Sequence, residues 1–187
     1  MSSQAPGTLP LRLRPTMLSD LDFVAAVEMD QRNLPFITPW ERTQHEGAVR
    51  FPDFRHFIVE AGGSHPQWGE REGFVILQGC RNPHKSVELK RLVLQTKGQG
   101  LGRRCVRLLK QMAFRDLHAH RFWLDVKQLN TPAMALYASE GFVEEGRLRE
   151  SVRVSSQGAD GYDSLVVMSL LDREYQARVA LGLEDPR

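Results

Sequence analysis

Three glycines alternate with other residues between Lys97 and Arg103, in a segment that reads KGQGLGR. The residues before it, 87–94, are typical of a β-strand, and the apolar residues after it recur at helical spacing. Glycine accepts positive φ and lets another molecule approach the backbone closely. The first N–H groups of a helix have no partner within the helix and lie at the positive end of its dipole. A strand-to-helix turn of this composition can therefore bind an anion such as a phosphate.

The spacing of the glycines excludes two common phosphate-binding loops. A P-loop ends in Gly-Lys-Ser/Thr, whereas Gly102 is followed by two arginines. A dinucleotide-binding loop has the spacing G-x-G-x-x-G, and this segment has G-x-G-x-G. The glycine pattern alone also fits a tight turn that binds no ligand, because short motifs occur by chance.

The composition is that of an ordinary globular domain. Of the 187 residues, 41% are hydrophobic and 26% are charged, and the net charge of +2 gives no reason to expect a nucleic-acid or membrane partner. Two cysteines provide no disulfide framework, and Cys105 is expected to pack in the core. No apolar run has the length of a membrane span, and residues 1–10 lack a signal-peptide pattern. We expect a single cytoplasmic domain spanning residues 1–187, with residues 1–10 flexible.

Apolar periodicity and turn residues predict an antiparallel meander, then a strand–helix–strand crossover, then a long hairpin. Strands are expected at 11–14, 57–60, 73–77, 87–94 and 121–126, separated by turns that include residues 61–71. A further strand is expected to start at residues 142–143, and hairpin arms are expected at 149–154 and 165–168 around a turn at 157–161. A helix is expected to begin with a capping box from Ser19 to Asp22, and further helices at 40–50, 101–117, 131–140 and 172–181.

A second motif follows the crossover, in residues 130–142, which read NTPAMALYASEGF. It resembles the signature Asn-x-x-Ala-x-x-Leu-Tyr-Glu-x-x-Gly-Phe of the GNAT acyl-CoA N-acetyltransferases, with Ala138 in place of the usual Glu. The glycine turn resembles the pyrophosphate loop of the same family, Gln/Arg-x-x-Gly-x-Gly/Ala, with Lys97 in place of Gln or Arg. Because both motifs occur in the right order, the chain is identified as a member of this family.

The resemblance implies the GNAT fold, an α/β (α+β) domain. Its single mixed, mostly antiparallel central sheet is flanked by helices, and two central strands splay apart at the CoA site. Residues 142–148, residues 161–163 and Met168 are most similar to the branch of ribosomal-protein and spermidine N-acetyltransferases. Because substrates vary among relatives, the acceptor is expected to be either a small-molecule amine or a protein or peptide N-terminus, and a homodimer is compatible. In the family residues 31–50 cover the acceptor, although a simple core flap fits them equally well.

The implied activity is acetyl transfer from acetyl-CoA to a primary amine, by direct attack within a ternary complex. The residues implied in binding CoA are Leu92, Val93, Leu94, Lys97, Gly98, Gln99, Gly100, Leu101, Gly102, Arg103, Asn130 and Tyr137. Within this set, the backbone N–H groups of residues 99–103 hold the pyrophosphate, and an N–H near Leu94 polarises the thioester carbonyl. Asn130 also fits a helix N-cap. For Arg107 and Lys110, which share a helix face with Arg103, we favour a solvated cationic surface over an adenosine phosphate site.

Two residues are implied as catalytic groups. Tyr137 stands where the family places the acid that protonates the sulfur of CoA, and a phenol with a pKa of about 10 suits a thiolate leaving group. Glu88 stands at the usual position of the general base that takes a proton from the amine, and Asp125 is a second candidate. Both main candidates also have structural interpretations, Tyr137 as a core tyrosine and Glu88 as a partner of Lys90 or Arg121.

The leading hypothesis is an acetyl-CoA-dependent N-acetyltransferase. A GNAT-fold regulatory protein that binds CoA without acceptor chemistry is the alternative, and the presence of Tyr137 and Glu88 argues against it. A nucleotide-binding domain is disfavoured by the missing P-loop residues. The six histidines lack the spacing of metal ligands, so that no metal is expected.

Overall fold

The computed structural model describes residues 10–62, 69–156 and 159–184. The strands are β1 Leu11–Pro15, β2 Arg55–Ala61, β3 Glu70–Gln78, β4 Ser86–Leu94, β5 Arg121–Lys127, β6 Val143–Ser156 and β7 Ala159–Leu171. The helices are α1 Leu21–Glu28, α2 Arg42–Arg50, α3 Leu101–Gln111, α4 Thr131–Ser139 and α5 Asp172–Ala180. A 3₁₀ turn, Leu18–Asp20, precedes α1, and a π turn, Met112–Asp116, follows α3. The strands form one sheet in the order β1-β2-β3-β4-β5-β7-β6, in which β4–β5 is the one parallel pair among the described strands.

Buried side chains lie on both faces of the sheet, because helices cover both faces. The larger core cluster joins the sheet to α3, α4 and α5, and it contains Cys105, Leu109 and Tyr175. The smaller cluster joins the sheet to α1 and contains Val24 and Phe74. The predicted meander, crossover and hairpin are therefore all present, and the predicted burial of Cys105 is confirmed.

Strands β4 and β5 run side by side only at their beginnings. Ser86–Glu88 pair with Arg121–Trp123, and no further pair joins the two strands along their described lengths. Strand β4 stays paired with β3 as far as Leu94, while β5 stays paired with β7 as far as Lys127. A bulge at Lys90, the extra residue of β4 opposite β3, bends β4 locally. The predicted splay of two central strands is confirmed.

The start of the first helix differs from the prediction. The backbone N–H of Met17 donates to Asp20 Oδ2 at 2.9 Å, which closes the 3₁₀ turn before α1. Ser19 lies inside this turn, so that the predicted capping box from Ser19 to Asp22 is wrong. Arg14 of β1 holds the Asp20 carboxylate at 2.7 and 2.8 Å, and this contact between side chains six residues apart fixes where the turn closes.

Strand β6 is continuous over 14 residues, whereas the sequence predicted strand only at its beginning and at 149–154. Strand β6 stays paired with β7 through two register shifts, at which the regular alternation of its side chains between the two faces is interrupted. Glu150, with a φ of +50°, lies in the second shift. The predicted turn at 157–161 is also too long, because β7 already begins at Ala159. Helix α3 ends at Gln111 and continues as the π turn, where one regular helix to residue 117 was predicted.

Some predictions fall outside the described residues. They are the flexible N-terminus, of which only residue 10 is described, and the centre of the turn at 61–71, of which residues 63–68 are not described. Within the three described ranges, no helix is both long and apolar enough to cross a membrane.

Candidate active site

Two adjoining cavities lie where β4 and β5 diverge. The first, here called the glycine-turn cavity, has a volume of about 610 Å³. The predicted CoA-binding residues that line it are Leu92, Val93, Leu94, Lys97, Gly98, Gly100, Leu101, Gly102, Arg103, Asn130 and Tyr137. Gln99 is not among its lining residues. The structure therefore brings almost the whole predicted set to one cavity.

The second cavity, here called the β5 cavity, has a volume of about 320 Å³ and extends along the inner edge of β5. Its polar and charged lining includes Lys90, Arg91, Asp125 and Lys127. The residues that it shares with the glycine-turn cavity are Phe36, Ile37, Leu92, Asn130, Ala133 and Tyr137. These six residues form the boundary at which molecules in the two cavities would meet.

The glycine turn exposes backbone to the first cavity. Gly98 and Gly100 have φ of +76° and +74°, and a Cβ built at either position would meet no atom within 4 Å. Gly100 is the N-cap of α3, and its carbonyl accepts a hydrogen bond from the N–H of Arg104 at 3.2 Å, in the first turn of the helix. The N–H groups of residues 101–103 therefore precede the regular helical bonds, which gives a fitting place for a phosphate.

Lys97 connects this turn to the loop after α1. Its Nζ donates to Oδ1 of Asn33, whose own Nδ2 donates to the carbonyl of Val27 at 2.8 Å. Burial and the nearby Arg32 lower the pKa of Lys97. The cation at the position of the family's usual Gln or Arg thus holds two walls of the glycine-turn cavity together.

The end of β4 directs backbone groups into the gap. The N–H of Gln95 donates to the carbonyl of Glu72 at 2.7 Å, on the side of β3. Successive residues of a strand direct their backbone groups to opposite edges, so that those of Leu94 and Leu92 are directed towards the gap. The side chain of Val93 packs in the core cluster next to α1.

Tyr137 lies at the boundary of the two cavities. Its side chain is held by packing, since the residue is 9% exposed and its ring meets that of Phe142 at 5.8 Å between centroids. Its hydroxyl has no hydrogen-bond partner among the residues that the structure describes. Burial raises the pKa of Tyr137, and the neighbouring Cys105 and Asp125 raise it further. The hydroxyl is therefore protonated at physiological pH.

The two candidate bases occupy different places. Glu88 is 8% exposed, lies in the paired part of β4 and accepts a hydrogen bond from Lys90 Nζ at 3.0 Å. Burial raises the pKa of Glu88, Lys90 opposes this rise, and Asp125 adds to it. Glu88 lines neither cavity, whereas Asp125 lines the β5 cavity together with Tyr137. Because Glu88 lies opposite Trp123 in β5 and Asp125 follows Trp123 by two residues, the Glu88 and Asp125 carboxylates lie on the same face of the sheet.

Asn130 is the N-cap of α4, which confirms one of its two interpretations, while its contact with CoA stays a prediction. Its Oδ1 accepts the N–H of Ala133 at 3.3 Å, which caps α4, and Pro132 follows in the first turn. The same residue lines both cavities. Capping fixes the start of α4 at the boundary, and α4 in turn carries Tyr137.

The cationic face of α3 is not simply solvated. Lys110 is fully buried and donates to Glu140 at 2.9 Å and to Glu184, which contradicts the interpretation of a solvated surface. Arg103 and Arg107 lie 3.0 and 3.2 Å from the Glu140 carboxylate. Burial opposes ionisation of Glu140, but the hydrogen bonds from Lys110 and Arg107 outweigh it and lower its pKa. Arg103 alone of the three cations lines the glycine-turn cavity.

Sequence reasoning missed several lining residues. Asn33, Phe36 and Ile37 come from a loop without regular structure within residues 31–50, and only the apolar character of Phe36 and Ile37 gave a signal. Lys127 is the last residue of β5, one position after the predicted end of that strand. Among the described residues, no group of three or more His, Cys, Asp or Glu side chains could hold a metal ion.

The comparisons with known proteins agree with this arrangement. The chain matches the family model of the acetyltransferase (GNAT) domain over residues 10–143. It is similar to a spermidine N(1)-acetyltransferase of Vibrio cholerae serotype O1, with 29% identity over 107 residues, or 57% of this chain. That alignment spans 60% of the relative, which is less than two thirds of its length.

Solved structures of a spermidine N-acetyltransferase from Vibrio cholerae have the same fold. Its crystal structure in complex with CoA and spermine has a TM-score of 0.76 at 25% identity, covering 89% of this chain and 98% of that one. Its dodecameric structure in an intermediate state has a TM-score of 0.73 at 25% identity, covering 90% of this chain and 97% of that one.

These findings confirm the predicted fold and the predicted similarity to the spermidine N-acetyltransferase branch. The predicted enzyme class and the predicted cosubstrate, acetyl-CoA, agree with them. The family model covers more than two thirds of the chain. The chain belongs to the GNAT acetyltransferase family.

Proposed function

We propose that this protein transfers the acetyl group of acetyl-CoA to an amine, and that the amine attacks the thioester directly while both are bound. The observation that carries the proposal is the pair of adjoining cavities with Tyr137 on their common boundary. Two bound reactants that meet at a proton donor need little further ordering to react.

The chain's own groups account for the binding of CoA in this proposal. The N–H groups of residues 101–103, at the positive end of α3, bind the pyrophosphate, and the open space beside Gly98 and Gly100 lets it approach. The backbone groups of Leu92 and Leu94 bind the pantetheine arm, and the N–H of Leu94 polarises the thioester carbonyl. Acetyl-CoA supplies an acetyl group whose bond to sulfur is broken in the reaction.

Two proton movements complete the transfer. The amine nitrogen forms a bond to the carbonyl carbon, the C–S bond breaks, and the sulfur takes the proton of the Tyr137 hydroxyl. The proton that leaves the nitrogen passes to a carboxylate, and the phenol is later reprotonated from solvent. We assign this carboxylate to Glu88, acting through water because it lines neither cavity. Burial raises the pKa of Glu88, which makes it a better base than an exposed carboxylate.

For the acceptor we propose a small-molecule amine. The β5 cavity has the size of a small-ligand site, and the similar proteins from Vibrio cholerae are named for a small amine, spermidine. A peptide N-terminus is the alternative, and it would have to enter through the same cavity. The homodimer of this chain stays a prediction, whereas the Vibrio cholerae relative has a dodecameric structure.

Initial rates of thiol release test the function and the order of events together. Direct attack within a ternary complex gives intersecting double-reciprocal lines when acetyl-CoA and amine are both varied. A covalent acetyl-enzyme gives parallel lines, and this outcome would contradict direct attack. Binding of CoA without thiol release from any amine would instead support the regulatory alternative.

A further inference from the structure

The charged residues of the β5 cavity differ in how well they are paired. Lys90 has a carboxylate partner in Glu88 at 3.0 Å, and Arg91 has one in Glu28 at 2.9 Å. Arg91 Nη2 also donates to the carbonyl of Thr38 at 2.7 Å. These two cations are therefore already neutralised by the protein itself.

Lys127 lacks such a partner. It is 7% exposed, and its Nζ donates to the carbonyl of Pro35 at 3.2 Å. No carboxylate forms an ion pair with it among the described residues. Asp163 acts on it through space, but the Asp163 oxygens accept the backbone N–H groups of Leu129 at 3.4 Å and Ser164 at 2.7 Å. A buried ammonium with a single carbonyl partner is costly unless an anion joins it.

Asp125 is the opposite charge on the same strand face. Phe122, Leu124 and Val126 point into the core cluster beside α3, so that Asp125 and Lys127 share the other face of β5, two residues apart. Asp125 has no hydrogen-bond or ion-pair partner within the described ranges. The cavity thus holds one carboxylate and one ammonium about 7 Å apart along the strand, and neither of them forms an ion pair within the described ranges, although Asp163 acts on Lys127 and Asp125 acts on Arg91 through space.

We infer that the acceptor is an amine that carries an anionic group a few bonds from its nitrogen, with Asp125 facing the amine and Lys127 binding the anion. This inference rests on the proposed function and names the substrate class of the same site. A polyamine would meet Lys127 with a further positive charge, which the cavity does not neutralise. A carboxylate or a phosphate would instead form a charge-assisted hydrogen bond with it. Lys127 is thus the residue that determines specificity.

Matched amines test the inference in the unaltered protein. Thiol release at saturating acetyl-CoA is measured with glycine against glycinamide, β-alanine against β-alaninamide, O-phosphoethanolamine against ethanolamine, and spermidine. We expect kcat/KM to be roughly 10- to 100-fold higher for the anionic member of at least one pair, the range of one hydrogen bond to a charged group. The carboxylate and phosphate pairs show which anion fits. Equal rates within every pair, or a preference for spermidine, would overturn the inference while leaving the proposed function intact.

Variants of Lys127 separate recognition from folding. Lys127→Met should raise KM for the anionic amine and abolish the difference in kcat/KM between the anionic and the neutral amine. Lys127→Arg keeps the positive charge and should retain much of that difference. Retained affinity for CoA by calorimetry shows that each variant is folded. A parallel loss for charged and neutral amines would make Lys127 structural and overturn its assignment. Absence of thiol release from every amine, with CoA bound, would overturn the proposed function and the inference together.

Discussion

At the scale of single residues, Tyr137 combines burial with an uncommitted hydroxyl. We expect Tyr137→Phe to lower kcat by roughly 10²- to 10⁴-fold, because it removes the proton for the departing sulfur and keeps the ring. The affinity for CoA should change little, since the proton is needed only in the transition state. Tyr175→Phe makes the same chemical change at a buried tyrosine that lines neither cavity, and it should leave kcat unchanged. If Tyr137→Phe turns over at the parent rate while chemistry is rate-limiting, Tyr137 is a structural core residue and not the catalytic acid.

The two carboxylates make a second prediction for single residues. Glu88→Gln should lower kcat most near neutral pH and less at high pH, where the free amine is abundant. Asp125→Asn, the matched change on β5, should mainly raise KM for the amine, because Asp125 lines the cavity itself. The pH–rate profiles of both variants are the measurement. If instead Asp125→Asn lowers kcat most near neutral pH and Glu88→Gln mainly raises KM, Asp125 is the base. If Glu88→Gln lowers kcat by the same factor at every pH, Glu88 is a structural residue.

At the scale of elements, the glycine turn gives a prediction with a close control. Gly100→Asp places a side chain and a negative charge against the pyrophosphate, so that CoA affinity should fall by at least 10-fold. Gly182→Asp is the matched control, because Gly182 has a similar φ of +69° and also has no atom within 4 Å of its Cβ position. Calorimetric titration with CoA compares the two, and both should be equally strained. If the two folded variants bind CoA with equal affinity, the glycine turn does not contact CoA.

The elements also show what sequence reasoning can and cannot reach. Signals that act within a few residues were sufficient for the glycine turn and for Asn130 at the start of α4. Contacts between distant segments were not reachable in this way. Lys110 is buried because it binds Glu140 and Glu184, which are 30 and 74 residues away in the chain. Asn33 and Phe36 reach the site in a loop that is held by hydrogen bonds from Lys97 to Asn33 and from Lys127 to the carbonyl of Pro35, across 64 and 92 residues of the chain.

At the scale of the whole molecule, a buried chain of hydrogen bonds joins α1, α2, β2 and the segment after β1. Thr16 Oγ1 lies 2.9 Å from His56 Nδ1, His56 Nε2 lies 3.1 Å from His45 Nδ1, and His45 Nε2 lies 3.1 Å from Glu28 Oε2. Burial lowers the pKa of His56 from 6.5 to about 3, and His45 and Arg91 act in the same direction. His56 is therefore neutral in the folded protein.

This shift predicts how the stability of the fold depends on pH. Because His56 gains a proton more readily when unfolded, the unfolded state binds more protons below pH 6.5, and stability falls as the pH falls. The loss begins below pH 6.5, reaches about 2 kcal/mol at pH 5 at about 1.4 kcal/mol per pH unit, and is complete near pH 3. Urea unfolding at pH 8 and pH 5 measures it.

A pair of histidine variants isolates this contribution from those of the other titrating groups. His56→Gln should be less stable than the parent at pH 8, because Gln cannot reproduce both ring hydrogen bonds, yet it should lose less stability between pH 8 and pH 5. His84→Gln, at an exposed turn, should retain the pH dependence of the parent. If His56→Gln and the parent lost equal free energy over this range, His56 would not be the neutral buried base that its surroundings indicate, and the acid sensitivity of the fold would lie elsewhere.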